Sequence, residues 1–534
     1  MNARHLQAAQ FAVLAGTAAV CPLVFSRWTF DVFNITELTV LWLGVVIAAA
    51  LRLATLFAGD RPSLPGLWPA VACYIGVLTL TAFTSRAPVV SFFGNYGRFG
   101  GLATSLAVIA LAWMLWERIA GRPDRQHLLV LSLACSSLAG AAYLIVQELG
   151  VDTVEWLQPD GLSPNHSPGL LGNSNFSGAH VAMGVGPTVW LAVRASGRAR
   201  IFWMGTLAVV LAGVAVSQSR GALLATAVTL LVAASLVRLG LRRLALAAAV
   251  AVALLGVVAL ATSNNGVSDL VDPTTSDERV DLWNVALRGA PDHLILGGGP
   301  DLYLVTFTEH AGSELEGVFA DEPHNVILDH LDGSGLLGAA AWLAVLGATA
   351  ATARRAPREL AAPWLLLGVA YLVQAMVSID AVPLLLWAWV AVAGLAGAAA
   401  PSPPPPKRSR VGVMGIGAAA VLALVGCAFV VQPFRADMAY RRAIEASNAG
   451  DTVAARIQLR QAIDRYPWEP RYHARLGLEL WGALDLSDPD QAAAVRAPLL
   501  DALDLFPDDP SANAWLAGVD ARVAAIAASE PAGE

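Results

Sequence analysis

Long apolar runs recur along all but the last fifth of this chain, each of 17 to 25 residues. A helix needs about 20 such residues to cross a hydrocarbon core of ~30 Å, and every backbone N–H and C=O must be satisfied inside it. The runs lie near 9–25, 38–58, 67–84, 101–117, 128–149, 176–193, 201–217, 221–238, 244–261, 335–352, 361–378, 381–399 and 411–431. They predict an all-α, polytopic membrane helix bundle of about twelve spans plus a thirteenth. With 56% hydrophobic and 14% charged residues, the composition excludes a soluble globular chain. The Gly184-Val185-Gly186-Pro187 stretch predicts a kink in its span.

Arginines set the orientation. Alternate short loops carry Arg118, Arg122 and Arg125, then Arg194, Arg198 and Arg200, then Arg238, Arg242 and Arg243, then Arg354, Arg355 and Arg358, then Lys407, Arg408 and Arg410. The positive-inside rule places these loops, with the N terminus, in the cytoplasm. Segments 26–37, 85–100, 150–175, 218–220, 262–334, 379–380 and everything after 432 are then expected outside. The net charge of −7 is segregated by membrane side and says little about partners. The four cysteines, Cys21, Cys73, Cys135 and Cys427, lie in apolar runs and read as small buried hydrophobes. The first run lacks a small-residue cleavage pattern and reads as an uncleaved first helix.

Three blocks follow. Residues 1–399 form the twelve-span membrane domain, including the long external loop 262–334. A Pro-rich basic linker at 400–410 leads to the thirteenth span at 411–431, which delivers residues 433–534 to the external side. That tail repeats itself: Ala462-Ile-Asp-Arg-Tyr-Pro467-Trp-Glu-Pro470 recurs as Ala502-Leu-Asp-Leu-Phe-Pro507-Asp-Asp-Pro510. Upstream, Ala443, Gly450, Asp451, Ala454 and Ala455 sit where a first helix and turn place small residues. The pattern resembles a tetratricopeptide repeat with a short insertion around Asp485–Asp490. Two such repeats need a surface to pack on, either the membrane domain or a protein partner.

The loop 262–334 concentrates the residues with chemistry. His324, in Asp321-Glu322-Pro323-His324-Asn325, precedes an apolar helix that Asn325 is placed to cap. An imidazole there can take a proton from an acceptor hydroxyl, with Glu322 placed to orient it; the plainer alternative is a helix-start histidine. Arg220, in Ser219-Arg220-Gly221, lies between two spans on the outer side, where a guanidinium suits bidentate phosphate binding; snorkelling to the interface is the alternative. Arg279 and Trp283 fall on one face of a helix that opens with Asp277-Glu278, against the alternative of an intrahelical ion pair. Arg288 and His293 are weaker candidates for the same role. Gly297-Gly298-Gly299-Pro300 lacks the Gly-Lys-Ser/Thr and preceding strand of a nucleotide loop and reads as a tight turn. Arg98, in Gly94-Asn95-Tyr96-Gly97-Arg98, and Asn173 and Asn175, in Gly172-Asn173-Ser174-Asn175, offer groups that hydrogen-bond sugars. Metal-ligand spacing is missing throughout, so a metal-free mechanism without cofactor is expected.

In order and spacing these pieces resemble the O-antigen ligase and O-antigen polymerase superfamily of bacterial envelope glycosyltransferases. They are Gly172-Asn173-Ser174-Asn175, Ser219-Arg220-Gly221, Arg279 with Leu282-Trp283, Leu296 to Pro300, and His324-Asn325 through Gly335. The resemblance implies inverting transfer of a glycan from an undecaprenyl-diphosphate carrier to an acceptor outside the cytoplasmic membrane. It implies Arg220 and Arg279 on the diphosphate and His324 as general base; Arg98, Asn173, Asn175, Trp283, Glu322 and Asn325 are the expected substrate contacts. Two features depart from the pattern: Gly333 stands where relatives often carry an acidic residue, and smaller ligases have no tail after a thirteenth span.

A ligase to a lipid, a polysaccharide polymerase and a protein O-oligosaccharyltransferase all fit, so the acceptor is a glycan, lipid or protein. The other partners expected are membrane lipids and a protein bound by the repeats, with no nucleic acid. A lipid-linked sugar transporter is disfavoured because the spans lack embedded acidic or basic relays and show no inverted repeat. A non-catalytic scaffold leaves the outward Arg/His set unexplained.

Overall fold

The computed structural model describes residues 3–154, 167–236, 274–315, 317–401 and 411–529, with side chains from 279 onward in the helix that begins at Thr274. The described residues are all-helical, 78% of them in helices. Helices α1 (Ala3–Val20), α2 (Asn34–Leu56), α3 (Trp68–Thr84), α4 (Pro88–Phe93), α5 (Leu102–Ile119), α6 (Pro123–Glu148), α7 (Ser174–Arg194), α8 (Gly197–Val216) and α9 (Arg220–Leu236) come first. They are followed by α10 (Thr274–Gly289), α11 (Tyr303–His310), α12 (Val326–Ala353), α13 (Arg358–Ala375), α14 (Val382–Ala399) and α15 (Val413–Val430). Among the described residues nine helices are long and apolar enough to span a membrane, and α3 and α9 are shorter apolar helices. The chain is a multi-pass membrane protein. Twelve expected spans coincide with helices; the remaining one, 244–261, and the linker residues 402–410 lie outside the described residues.

Three expectations are corrected. The helix expected from 335 already starts at Val326, and Asn325 accepts from Ile327 and Leu328 N–H at 3.0 and 3.2 Å. Polar Asp329, His330 and Asp332 therefore belong to α12 and not to a loop. Cys73 and Cys135 face out of the bundle, because an apolar wall of a membrane helix meets lipid as readily as protein. Ionisable groups also sit within the spans: Arg52 of α2 pairs with Glu117 of α5 at 2.7 and 3.0 Å and with Asp60 at 3.3 Å, beside Arg118. Both Arg52 and Glu117 side chains are under 5% exposed, and their mutual pairing is what makes that burial tolerable.

Helix α12 breaks at Gly335 (φ 62°, ψ −165°), and the segment 294–299 fills the break. Leu336 and Leu337 N–H donate to Leu294 and Ile295 carbonyls, while Gly298 and Gly299 N–H donate to Asp332 and Gly333 carbonyls. A β carbon on Gly297 would lie 2.3 Å from Ser334 N, so only glycine permits this backbone-on-backbone seam. The tight turn expected of Gly297–Pro300 thus has a definite partner. Gly333 belongs to the same seam: a β carbon there would sit 3.3 Å from Pro300 Cα.

Beyond α15 come five helices, α16 (Gln432–Asn448), α17 (Thr452–Arg465), α18 (Pro470–Trp481), α19 (Pro489–Leu505) and α20 (Pro510–Ser529). The sequence repeat is a repeated corner. Tyr466 and Phe506 N–H donate to Ala462 and Ala502 carbonyls, and the prolines at 470 and 510 open the next helix. The tail packs on one end of the bundle. Asp437 accepts from the Tyr96 hydroxyl at 2.5 Å and from Asp31 N–H at 3.0 Å, Arg86 pairs with Asp508 at 3.0 Å, and Phe506 sits among Ala87, Val90, Leu302 and Val305.

Candidate active site

His324 stands at the bundle end that the tail covers, in the turn just before α12. Its φ of +57° is a conformation that non-glycine residues avoid. Gln218, Asp301 and Phe99 are the other non-glycine residues with positive φ among those described, and each adjoins a piece of the same region. The imidazole lies between two spaces. Leu282, Phe319, Asp321 and Arg98 line the outer one, while Glu322, Asp329 and Asp380 line the inner one.

Burial pushes the His324 pKa down to about 4, helped by the positive charges of Arg279 and Arg98 and opposed by Asp321. The ring is neutral at pH 7. Its Nδ1 is buried without a hydrogen-bond partner. A neutral ring with an unspent nitrogen is the state a general base requires.

Arg98 is fixed against Asp321 by two bonds, Nε to Oδ2 at 2.8 Å and Nη2 to Oδ1 at 3.1 Å, and its guanidinium lies 5.8 Å over the Phe176 ring. Phe176 follows Asn175 directly, so the Asn173–Asn175 turn abuts Arg98. In that turn the Asn173 side chain caps α7 by accepting from Asn175 N–H at 2.8 Å. Gly172 has φ +71°, and its β carbon would strike the Phe33 ring.

Arg279 reaches the imidazole through its field. On the same helix it is Leu282 that walls the outer space, while the Trp283 indole Nε1 is buried without a partner. Arg220 opens α9 at the positive end of its dipole, and there Ala222 N–H donates to Ser219 Oγ at 3.3 Å. Gly221 packs on Gln374 and Val377, and Asn325 Nδ2 donates to the Met376 carbonyl at 3.1 Å, so the end of α13 ties Arg220 to the His324 turn. Both amide atoms of Gln374 are buried there without partners.

Glu322 lies on the inner side. It hydrogen-bonds Asp329, and burial together with Asp329, Asp301 and Asp321 raises its pKa well above the usual carboxyl range. The carboxylate whose charge acts on His324 is Asp321. Asp301 accepts from Asn95 and Gly100 N–H at 2.6 and 2.8 Å, and burial pushes it up to about 7. Asp380, also pushed up to about 7 by burial, accepts from the Tyr371 hydroxyl at 2.6 Å. Asp301, Asp321, Asp329 and Asp380 were not anticipated from sequence. Asp380, an acid between two apolar runs, carried a signal; Asp301 gains meaning only from the fold. Neither Arg288 nor His293 lines these two spaces, and His293 Nε2 lies 3.4 Å from Asp332 Oδ1.

No curated protein matches the chain. Residues 205–343, from within α8 to beyond the break in α12, match a family model described as O-antigen ligase. That stretch carries Arg220, Arg279 and His324 together. The match supports the O-antigen ligase family, and with it an activity of the glycosyltransferase type on lipid-linked glycans.

Proposed function

We propose that the protein is an inverting glycosyltransferase that moves a glycan from an undecaprenyl-diphosphate carrier to an acceptor hydroxyl. The reaction takes place at the external face of the cytoplasmic membrane. The observation that carries this reading is His324: neutral at pH 7, with an unpartnered buried Nδ1, under the charge of Arg279 and lining with Arg98 a cavity of about 260 Å³. His324 takes the acceptor proton, the freed oxygen forms a bond to the anomeric carbon from the face opposite the carrier, and the bond to the diphosphate oxygen breaks. The leaving diphosphate gains charge, which Arg220, the N terminus of α9 and Arg279 stabilise. No metal takes part in these steps. The arginine-rich loops then face the cytoplasm, and the 433–534 tail stands outside as a tetratricopeptide-like domain.

Reconstitution in proteoliposomes with a lipid-linked oligosaccharide tests the reading. Wild type is expected to release undecaprenyl diphosphate, and His324→Ala and Arg220→Ala are expected to lower the rate ~10²-fold or more. No release by wild type, or full activity in both variants, refutes it.

A further inference from the structure

The tail and the bundle enclose a groove of about 360 Å³, within the ~300–1,000 Å³ range of ligand sites. One wall is Tyr96 and Phe319, and the other is Glu469, Arg471, Arg475 and Trp515. The groove shares Phe319 and Asp321 with the space beside His324, so the two adjoin across these side chains.

Its walls are held in place before anything binds. Arg471 lies 4.2 Å over the Tyr96 ring, and Glu469 accepts from Arg471 N–H at 3.1 Å. Arg475 is pinned through Nη2 to Glu479 and Ser447, while its Nε remains buried without a partner. Phe319 is 72% exposed, a large apolar ring left open at the junction of the two spaces. Acidic and basic groups are mixed here, three acids (Asp321, Glu469 and Asp509) against two bases (Arg471 and Arg475). A strongly charged ligand therefore gains little. The open Phe319 ring beside fixed donors and acceptors suits a hydroxyl-rich chain with apolar C–H faces.

We infer that this groove is the acceptor subsite, that it holds a glycan chain, and that it delivers the chain's terminal hydroxyl to His324. This rests on the glycosyltransferase reading for the delivery step, and on the groove alone for binding. It makes the tail a working wall of the site and favours a polymerase-type acceptor over a protein one.

The test uses the full chain in nanodiscs and oligosaccharide fractions released by mild acid from the host's own lipid-linked pool. Saturation-transfer NMR and titration calorimetry read the binding. Wild type is expected to bind. Phe319→Ala is expected to raise the Kd about tenfold and the acceptor KM in parallel, with the donor KM unchanged, and Phe319→Tyr to restore both. Trp515→Phe is expected to bind near wild type while Trp515→Ala does not, with a thermal melt confirming that each variant is folded. His324→Ala is expected to bind the fractions normally and transfer nothing. Binding lost on Phe319→Ala but no transfer by wild type would leave the groove standing and remove the enzymatic reading. Unchanged binding in folded Phe319→Ala and Trp515→Ala overturns the inference, as does preferential capture of a Ser/Thr-rich peptide.

Discussion

Arg98 grips Asp321 at two points, 2.8 and 3.1 Å, and the two charges act on His324 with opposite signs. Arg98 lowers the imidazole pKa and Asp321 raises it. Activity that needs the neutral ring falls as pH drops through that pKa, so wild type is expected to hold its rate down to the region of about 4. Arg98→Gln removes a lowering charge and shifts the acid limb upward, toward the ordinary histidine range. Asp321→Asn shifts it downward. Profiles of kcat against pH check both; displacement in the same direction for the two variants refutes the assignment.

The tail's attachment depends on pH through Asp437. Burial pushes this carboxyl up to about 7, opposed by the Tyr96 bond and reinforced by Asp31; Tyr472 and Glu469 also face it. A carboxyl whose pKa is raised in the docked state favours docking while it is protonated. The stabilisation is full below the ordinary carboxyl pKa, near 4, and is lost as pH rises through about 7. Protection of the 432–448 amides, taken relative to their base-catalysed intrinsic exchange, is expected to be high at pH 6 and to fall between pH 6.5 and 8. Asp437→Asn flattens that dependence, and Tyr96→Phe weakens docking by ~1–3 kcal/mol by removing a donor. A flat wild-type profile rules the mechanism out.

Arg52 and Glu117 stabilise each other only as a pair. Glu117→Gln leaves a guanidinium buried with its main partner gone, at a cost of ~3–5 kcal/mol. A large drop in detergent Tm is expected. The double replacement Arg52→Met with Glu117→Leu is expected to recover most of it, because two buried charges are exchanged for apolar packing. Additive losses in the double variant count against the pairing argument.

Period and length made the bundle legible. Twelve apolar runs became helices because only a helix satisfies the backbone of a single segment in lipid, and the Ala462/Ala502 repeat became two equivalent corners. His324 and Arg98 line one space, and the charge of Arg279 reaches the same ring. The start of α12 was missed because Asp329, His330 and Asp332 dilute its hydropathy, although Asn325 marks its cap. The carboxyls around Glu322 escaped notice because the contacts that give them meaning span residues 301 to 380. Equally hidden was the tail's docking, whose central bond joins Tyr96 to Asp437 across 341 positions.

The seam between 294–299 and the break in α12 carries the His324 turn, since Asn325 and Gly335 lie on one helix. Gly335 has φ +62°, and a β carbon there would come within 2.4 Å of the Ile295 carbonyl. Neither fault can be relieved by a rotamer change, because the obstacle is backbone. Gly335→Ala is expected to destabilise by more than ~2 kcal/mol and to lower transfer, as the 336 and 337 N–H groups lose their acceptors. Gly347→Ala, on the same helix with nothing within 4 Å of its β carbon, is the matched control. It is expected to be neutral or to stabilise by up to ~1 kcal/mol, since alanine is the better helix former. Thermal unfolding and undecaprenyl diphosphate release, measured on the same preparations, decide the matter. Equal Tm values for the two variants would mean that α12 does not need its break.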